Sequence, residues 1–232
     1  MIAKSFELNK IEIKSKKVFL LHGENQGHKT QIIEKVFKPQ YTQNIYCYEE
    51  GEIVSNMESF FNNLLTKSFF ETEKLVIINR ATDKIKNIIE EIIEKKIEDV
   101  VFVLNANLLE KKSKLRSFCE KNTETVCVPF YEDNNQTLSG IVNNFFRQSK
   151  IPISQMAINL IVERCRGDRQ NLKNELEKIK SFTKDKNRID IKDLLKLTNL
   201  AENYNVSELV DNCLAKNKKR TINILNENNY SL

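Results

Sequence analysis

The chain has 232 residues and a net charge of +5, with 30% charged and 40% hydrophobic residues. That balance excludes a disordered polypeptide, and 5 glycines, 3 prolines and no tryptophan exclude collagen-like, proline-rich and aromatic-repeat architectures. The mild positive charge permits contact with nucleic acid without requiring it, the plainer account being a solvated basic surface.

The opening residues MIAKSFELNKIEIKSKKVFLLHG hold no apolar stretch long enough for a signal peptide or a membrane span, so a cytoplasmic protein with no membrane partner is expected. The first 130 residues alternate short apolar runs with helical patterns. The runs Val18–Leu21, Ile45–Tyr48, Leu75–Ile78, Val100–Leu104 and Val126–Val128 are continuous in Val, Ile and Leu, as suits parallel strands buried on both faces. Between them the spacing predicts a helix after Lys29 (Ile32, Ile33, Val36), one over Val54–Leu65, one over Thr82–Lys95 and one from about Leu108 to Lys121. Strand–helix–strand alternation of this kind gives an α/β domain with a parallel sheet.

From about Gln136 only helices are predicted. Leu138, Ile141, Val142, Phe145 and Phe146 recur at helical spacing, and Pro152 and Ser154 introduce a helix carrying Ala157, Leu160, Ile161 and Cys165. Gly167 ends it, and Asp168 caps a helix burying Leu172, Leu176 and Ile179. Shorter helices follow, one with Leu194, Leu195 and Leu197, then a pair with Val206, Leu209, Val210 and Leu214, and Ile222 and Leu225.

The first strand runs into Gly23-Glu24-Asn25-Gln26-Gly27-His28-Lys29-Thr30 and then a helix, the setting of a phosphate-binding loop. The pattern GxxxxGK[ST] is met by Gly23, Lys29 and Thr30 but broken by His28, where a glycine would let the backbone wrap a phosphate. The strands that should end in magnesium-binding carboxylates end instead in Ile78-Asn79-Arg80 and Leu104-Asn105-Ala106. The expectation is a helix-opening turn that kept its shape, with no catalytic residue and no bound cofactor. Cys47, Cys119, Cys127, Cys165 and Cys213 form no CxxC pair, and His22 and His28 lie far from most of them, so no metal site is expected.

Four segments carry a family resemblance: VFLLHGENQ, LLTKSFFETEKLVIINRA, VFVLNANLLEKKSKLRSFCEKN and RGDRQNLKNELEKIKSF, in order between residue 18 and about 182. Together they resemble the delta subunit of DNA polymerase III. The resemblance implies a AAA+-like α/β domain at residues 1–133, a helical lid at 134–203, and the start of a truncated helical collar at 204–232. It also implies the function of a clamp loader's delta subunit, which binds and opens the beta sliding clamp during replication without hydrolysing ATP. The implied partners are that clamp, the ATPase gamma/tau subunits and delta-prime, and primer-template DNA through the complex. Membership of a DNA-directed DNA polymerase complex would follow, although no polymerase site is visible in the chain. A working P-loop ATPase and a delta-prime-like scaffold are the alternatives. Delta-prime-like proteins carry a zinc-binding cysteine cluster and a Ser-Arg-Cys motif, whereas Glu163 precedes Arg164-Cys165 here.

Ser68, Phe69 and Phe70 match the family's clamp-binding wedge. Read without the resemblance, an aromatic pair among Lys67, Glu71, Glu73 and Lys74 serves equally as a docking tip or as a cap on the core. Lys111, Lys112, Lys114 and Arg116 make a basic run, as do Lys216, Lys218, Lys219 and Arg220. Each suits either phosphate-backbone contact or a solvated helix face. Asn105 and Gly167-Asp168-Arg169 stand where AAA+ ATPases place nucleotide sensors, and are read as a turn residue and a helix cap.

Overall fold

The computed structural model describes residues 1–41, 44–65, 73–97, 99–165, 167–183, 189–197 and 206–227. It divides into two compact units, one of residues 1–133 with 168–170, the other of 134–167 with 171–232.

The first unit is built on β1 (Val18–Gly23), β2 (Ile45–Glu49), β3 (Lys74–Asn79), β4 (Val100–Asn105) and β5 (Thr125–Phe130). They form one parallel sheet in the order β2-β3-β4-β1-β5, with Leu20 level with Leu104 on one side and Cys127 on the other. Alternate residues serve opposite faces. Val18, Leu20, Val76, Ile78, Phe102 and Leu104 join a core beneath α2 (Glu50–Ser55), α3 (Met57–Leu65), α4 (Lys86–Glu94) and α5 (Lys114–Lys121). Phe19, Leu21, Leu75, Ile77, Val101 and Val103 join a second core with Ile33 and Phe37, which extend α1 (Gln26–Ile32) by a π-helical turn. Burial on both faces is why each strand reads as an unbroken apolar run.

The predicted helix over Val54–Leu65 is two helices, because Asn56 leaves helical geometry and its Oδ1 accepts the amide of Ser59. The one predicted from Leu108 starts only at Lys114: the Ser113 hydroxyl caps it by accepting the Arg116 amide. Residues 1–15 gave no strand or helix signal. They supply a 3-10 helix (Ser5–Lys10), bury Leu8 and Ile13, and set Ile2 in parallel against Cys127, covering the outer edge of β5.

The second unit is helical: α6 (Asn135–Ser149), α7 (Gln155–Cys165), α8 (Arg169–Phe182, of which Asn171 onward belongs here), α9 (Ile191–Leu197), α10 (Val206–Leu214) and α11 (Lys218–Glu227). Its core joins Leu138, Val142 and Phe146 to Ile158, Ile161, Leu172, Ile179 and Leu194. No helix among the described residues is long and apolar enough to cross a membrane.

Candidate functional site: the carboxyl edge of the sheet

From β1 the chain turns into α1 on one face of the sheet, whereas β4 leads to α5 on the other before β5. The crevice at such a switch point is where open parallel sheets take ligands. It is formed here by the turn from Gly23 to Thr30. Gly23 has a φ of 129°, and an added Cβ would lie 2.1 Å from the Phe130 carbonyl oxygen, so only glycine lets β1 and β5 close together there.

Lys29, the cation of the phosphate-loop pattern, is fully buried. Its ammonium donates to the carbonyls of Gly23 at 2.8 Å and Ala106 at 2.5 Å, tying the end of β1 to the residue after β4. Burial lowers its pKa to about 8, so it remains charged at neutral pH. His28 places its ring edge-on to Phe130, with centroids 5.0 Å apart. Burial, then the Arg169 guanidinium, lowers its pKa to about 4. Asn25 caps α1 by accepting the His28 amide, and Thr30 is half-buried on the same helix.

The loop is also covered. An added Cβ on Gly27 would lie 2.6 Å from the backbone nitrogen of Gln170, and Arg169 donates to both oxygens of Asp133. Asn25 Nδ2 donates to the same carboxylate at 2.8 Å, and Arg169 reaches Gln31 at 3.2 Å. All these groups belong to the first unit. Arg169, standing where a nucleotide sensor would, is paired with a carboxylate of its own chain. Asp168 accepts the Gln170 amide at 2.7 Å, the cap that its position predicts.

Glu50 and Asp83, which follow β2 and β3, are bonded to other groups of the chain. Glu50 accepts the Thr82 amide at 2.7 Å and its hydroxyl, fixing the turn after β3. Asp83 accepts the Ser113 hydroxyl at 2.5 Å and the Leu115 amide at 3.0 Å, which holds its pKa below the ordinary range. Asn105 is the last residue of β4 and buried, not the turn residue expected. It donates to Asn79 at 3.1 Å, and its own side-chain oxygen has no partner. Among the described residues no cluster of His, Cys, Asp and Glu could hold a metal ion. His22, an isolated histidine in the sequence, ends up buried, its pKa lowered to about 4 by burial and then by Arg116.

Ser68, Phe69 and Phe70 lie outside the described residues, as do Lys67 and Glu71. In the first basic run, Lys111, Lys112 and Lys114 are exposed, but Arg116 is not free. It bonds Glu120 at 2.8 Å and the Leu109 carbonyl at 3.0 Å. Lys218 and Lys219 of the second run are exposed at the start of α11.

The family model for the delta subunit of DNA polymerase III matches residues 20–129. No curated protein matches the chain by sequence. The structure is similar to that of the Bacillus subtilis DNA clamp loader delta protein (YqeN), with a TM-score of 0.55 and 20% identity, covering 96% of this chain and 69% of that one. It is also similar to the Thermotoga maritima RuvB Holliday junction branch migration motor, with a TM-score of 0.57 and 13% identity, covering 92% and 72%. At these identities the likeness is one of fold.

Proposed function

We propose that the chain, whose residues 20–129 match the family model for the delta subunit of DNA polymerase III, is such a subunit and binds and opens the beta sliding clamp without hydrolysing ATP. Lys29 is the observation that carries the non-hydrolysing half. Its ammonium is spent on two backbone carbonyls, and the backbone of Arg169 and Gln170 lies over the loop where a phosphate would enter. Phosphoryl transfer needs a cation and a metal-held carboxylate facing the nucleotide, and Glu50, Asp83 and Asp133 are each bonded within the chain.

The gripping half rests on Ser68, Phe69 and Phe70, which match the family's wedge and fall between α3 and β3. In this reading residues 134–203 form a lid and 204–232 begin a collar. The further partners are gamma/tau, delta-prime and, through the assembled loader, primer-template DNA in the cytoplasm.

Equilibrium binding of the full chain to its own beta clamp tests the proposal, with Phe69→Ala/Phe70→Ala beside wild type. Aromatic anchors cost on the order of 2 kcal/mol or more each when truncated, roughly a 30-fold loss per ring. Tight wild-type binding that the double variant loses, with no magnesium-dependent ATP turnover in either, is the expected result. Wild-type chain that ignores the clamp, or a variant that binds as well, would overturn it.

A further inference from the structure

The Asp133 carboxylate gathers segments that are far apart in the sequence. Arg169, the first residue of α8, donates from Nε to one of its oxygens at 2.7 Å and from Nη2 to the other at 2.5 Å. Asn25 Nδ2 donates to the first oxygen at 2.8 Å and to the Tyr131 carbonyl at 3.0 Å. The same asparagine caps α1 through its Oδ1, so the start of α1 and the start of α8 are held by one carboxylate. Only 12% of the Arg169 side chain and 7% of that of Asp133 are exposed. A two-pronged contact of this kind is the one by which a guanidinium takes a phosphate or carboxylate ligand.

The backbones are as close as the side chains. A Cβ on Gly27 would lie 2.6 Å from the Gln170 nitrogen and 3.1 Å from the Arg169 carbonyl carbon. Further along α1, Gln31 accepts from Arg169 Nη1 at 3.2 Å. Neither segment can leave alone without cost. If the start of α8 moves away, Asp133 keeps its charge and loses its cation. If the loop moves away, the carboxylate loses Asn25 and the guanidinium loses Gln31. Removing one partner of a shielded charge pair leaves the other uncompensated, which costs far more than the pair is worth when intact.

We propose that Asp133, Arg169 and Asn25 form a latch in which the chain's own carboxylate fills the place of a bound anion. The phosphate-loop turn and the first turn of α8 then stay closed without a ligand and open only together. All the groups that form the latch lie within residues 1–133 and 168–170, and the inference is independent of clamp binding. A loop that is merely obstructed would open by itself. The latch makes opening one event in two segments, and removing its carboxylate leaves a vacancy fitted to an anion.

The test is hydrogen–deuterium exchange of the full chain, read over residues 24–33 and 168–175. In the wild type, over a series of low urea concentrations, both segments are expected to exchange through one opening with the same urea dependence. Asp133→Ala is expected to speed exchange in both by a common factor of at least about tenfold, while β3 and β4 keep their wild-type rates. Sodium formate, a carboxylate small enough for the vacated position, should reverse most of that increase in both segments. Sodium chloride at the same ionic strength should leave it. In the wild type, where the position is filled, formate should change neither segment. A different urea dependence for the two wild-type segments would overturn the proposal, and that comparison stands even if the variant does not fold. Faster exchange confined to one segment of the variant, or spread equally over β3 and β4, would overturn it as well. So would formate that does no more than chloride, since Asp133 would then not occupy an anion's place.

Discussion

At the ends of β1 and β5 two charged side chains bond within the chain, Lys29 to two carbonyls and Asp133 to Arg169 and Asn25. At the ends of β3 and β4 the buried Glu50 accepts from Thr82, the exposed Asp83 accepts from Ser113, and Arg80, Lys84, Lys112 and Lys114 are exposed. The same edge of one sheet is therefore closed at one place and open at another. Where a side chain replaces an expected ligand contact with an internal one, its removal should cost the fold. Where it is left in solvent, its removal should cost the fold little.

The largest contrast is expected from Lys29→Met, which keeps volume but leaves the Gly23 and Ala106 carbonyls without their donor. Two charge-assisted bonds lost in the interior should destabilise the chain by about 2 kcal/mol or more in urea unfolding. An unchanged unfolding midpoint would mean that the lysine does not tie β1 to β4.

Acid should separate the two regions next. His22 and His28 are held at about 4, below their ordinary 6.5, by burial first and neighbouring cations second, with Glu120 and Asp133 pulling the other way. The unfolded chain takes up these protons near pH 6.5 and the folded chain only near 4. Stability present above pH 6.5 is therefore lost progressively as pH falls toward 4. Melting temperatures between pH 7 and pH 4 should fall for wild type and fall less for His22→Gln/His28→Gln. Asp83, with its pKa lowered by the Ser113 hydroxyl and then the Leu115 amide, keeps its contribution until the pH drops below the ordinary carboxylate value. Equal slopes in both chains would remove the histidines as the cause.

The smallest effect is expected at the open loops. Ser113→Ala removes the cap of α5 and one partner of Asp83 and should cost about 1 kcal/mol in urea unfolding. A cost as large as that of Lys29→Met would erase the distinction between the regions.

Much of the first unit was legible because a buried parallel strand has to be apolar throughout. Leu75-Val76-Ile77-Ile78 and Val100–Leu104 could be read directly, and so could the broken loop pattern at His28. The N-terminal 3-10 helix was not, since Leu8 and Ile13 are isolated apolar residues whose burial depends on the distant sheet. The start of α5 was missed because the Asp83 carboxylate that helps fix it lies 30 residues upstream.

Local composition thus determined the strands, most helices, the defect in the phosphate loop and the segments that resemble the delta family. Periodicity and turn chemistry act within a few residues and are written in order. Tertiary structure alone decided that Lys29 serves the backbone, that Arg169 meets Asp133, and that Arg116 is held by Glu120 and the Leu109 carbonyl. Hydrogen bonds and charge fields depend on distance in space, and only the closed sheet brings residues 29 and 106, or 83 and 113, together.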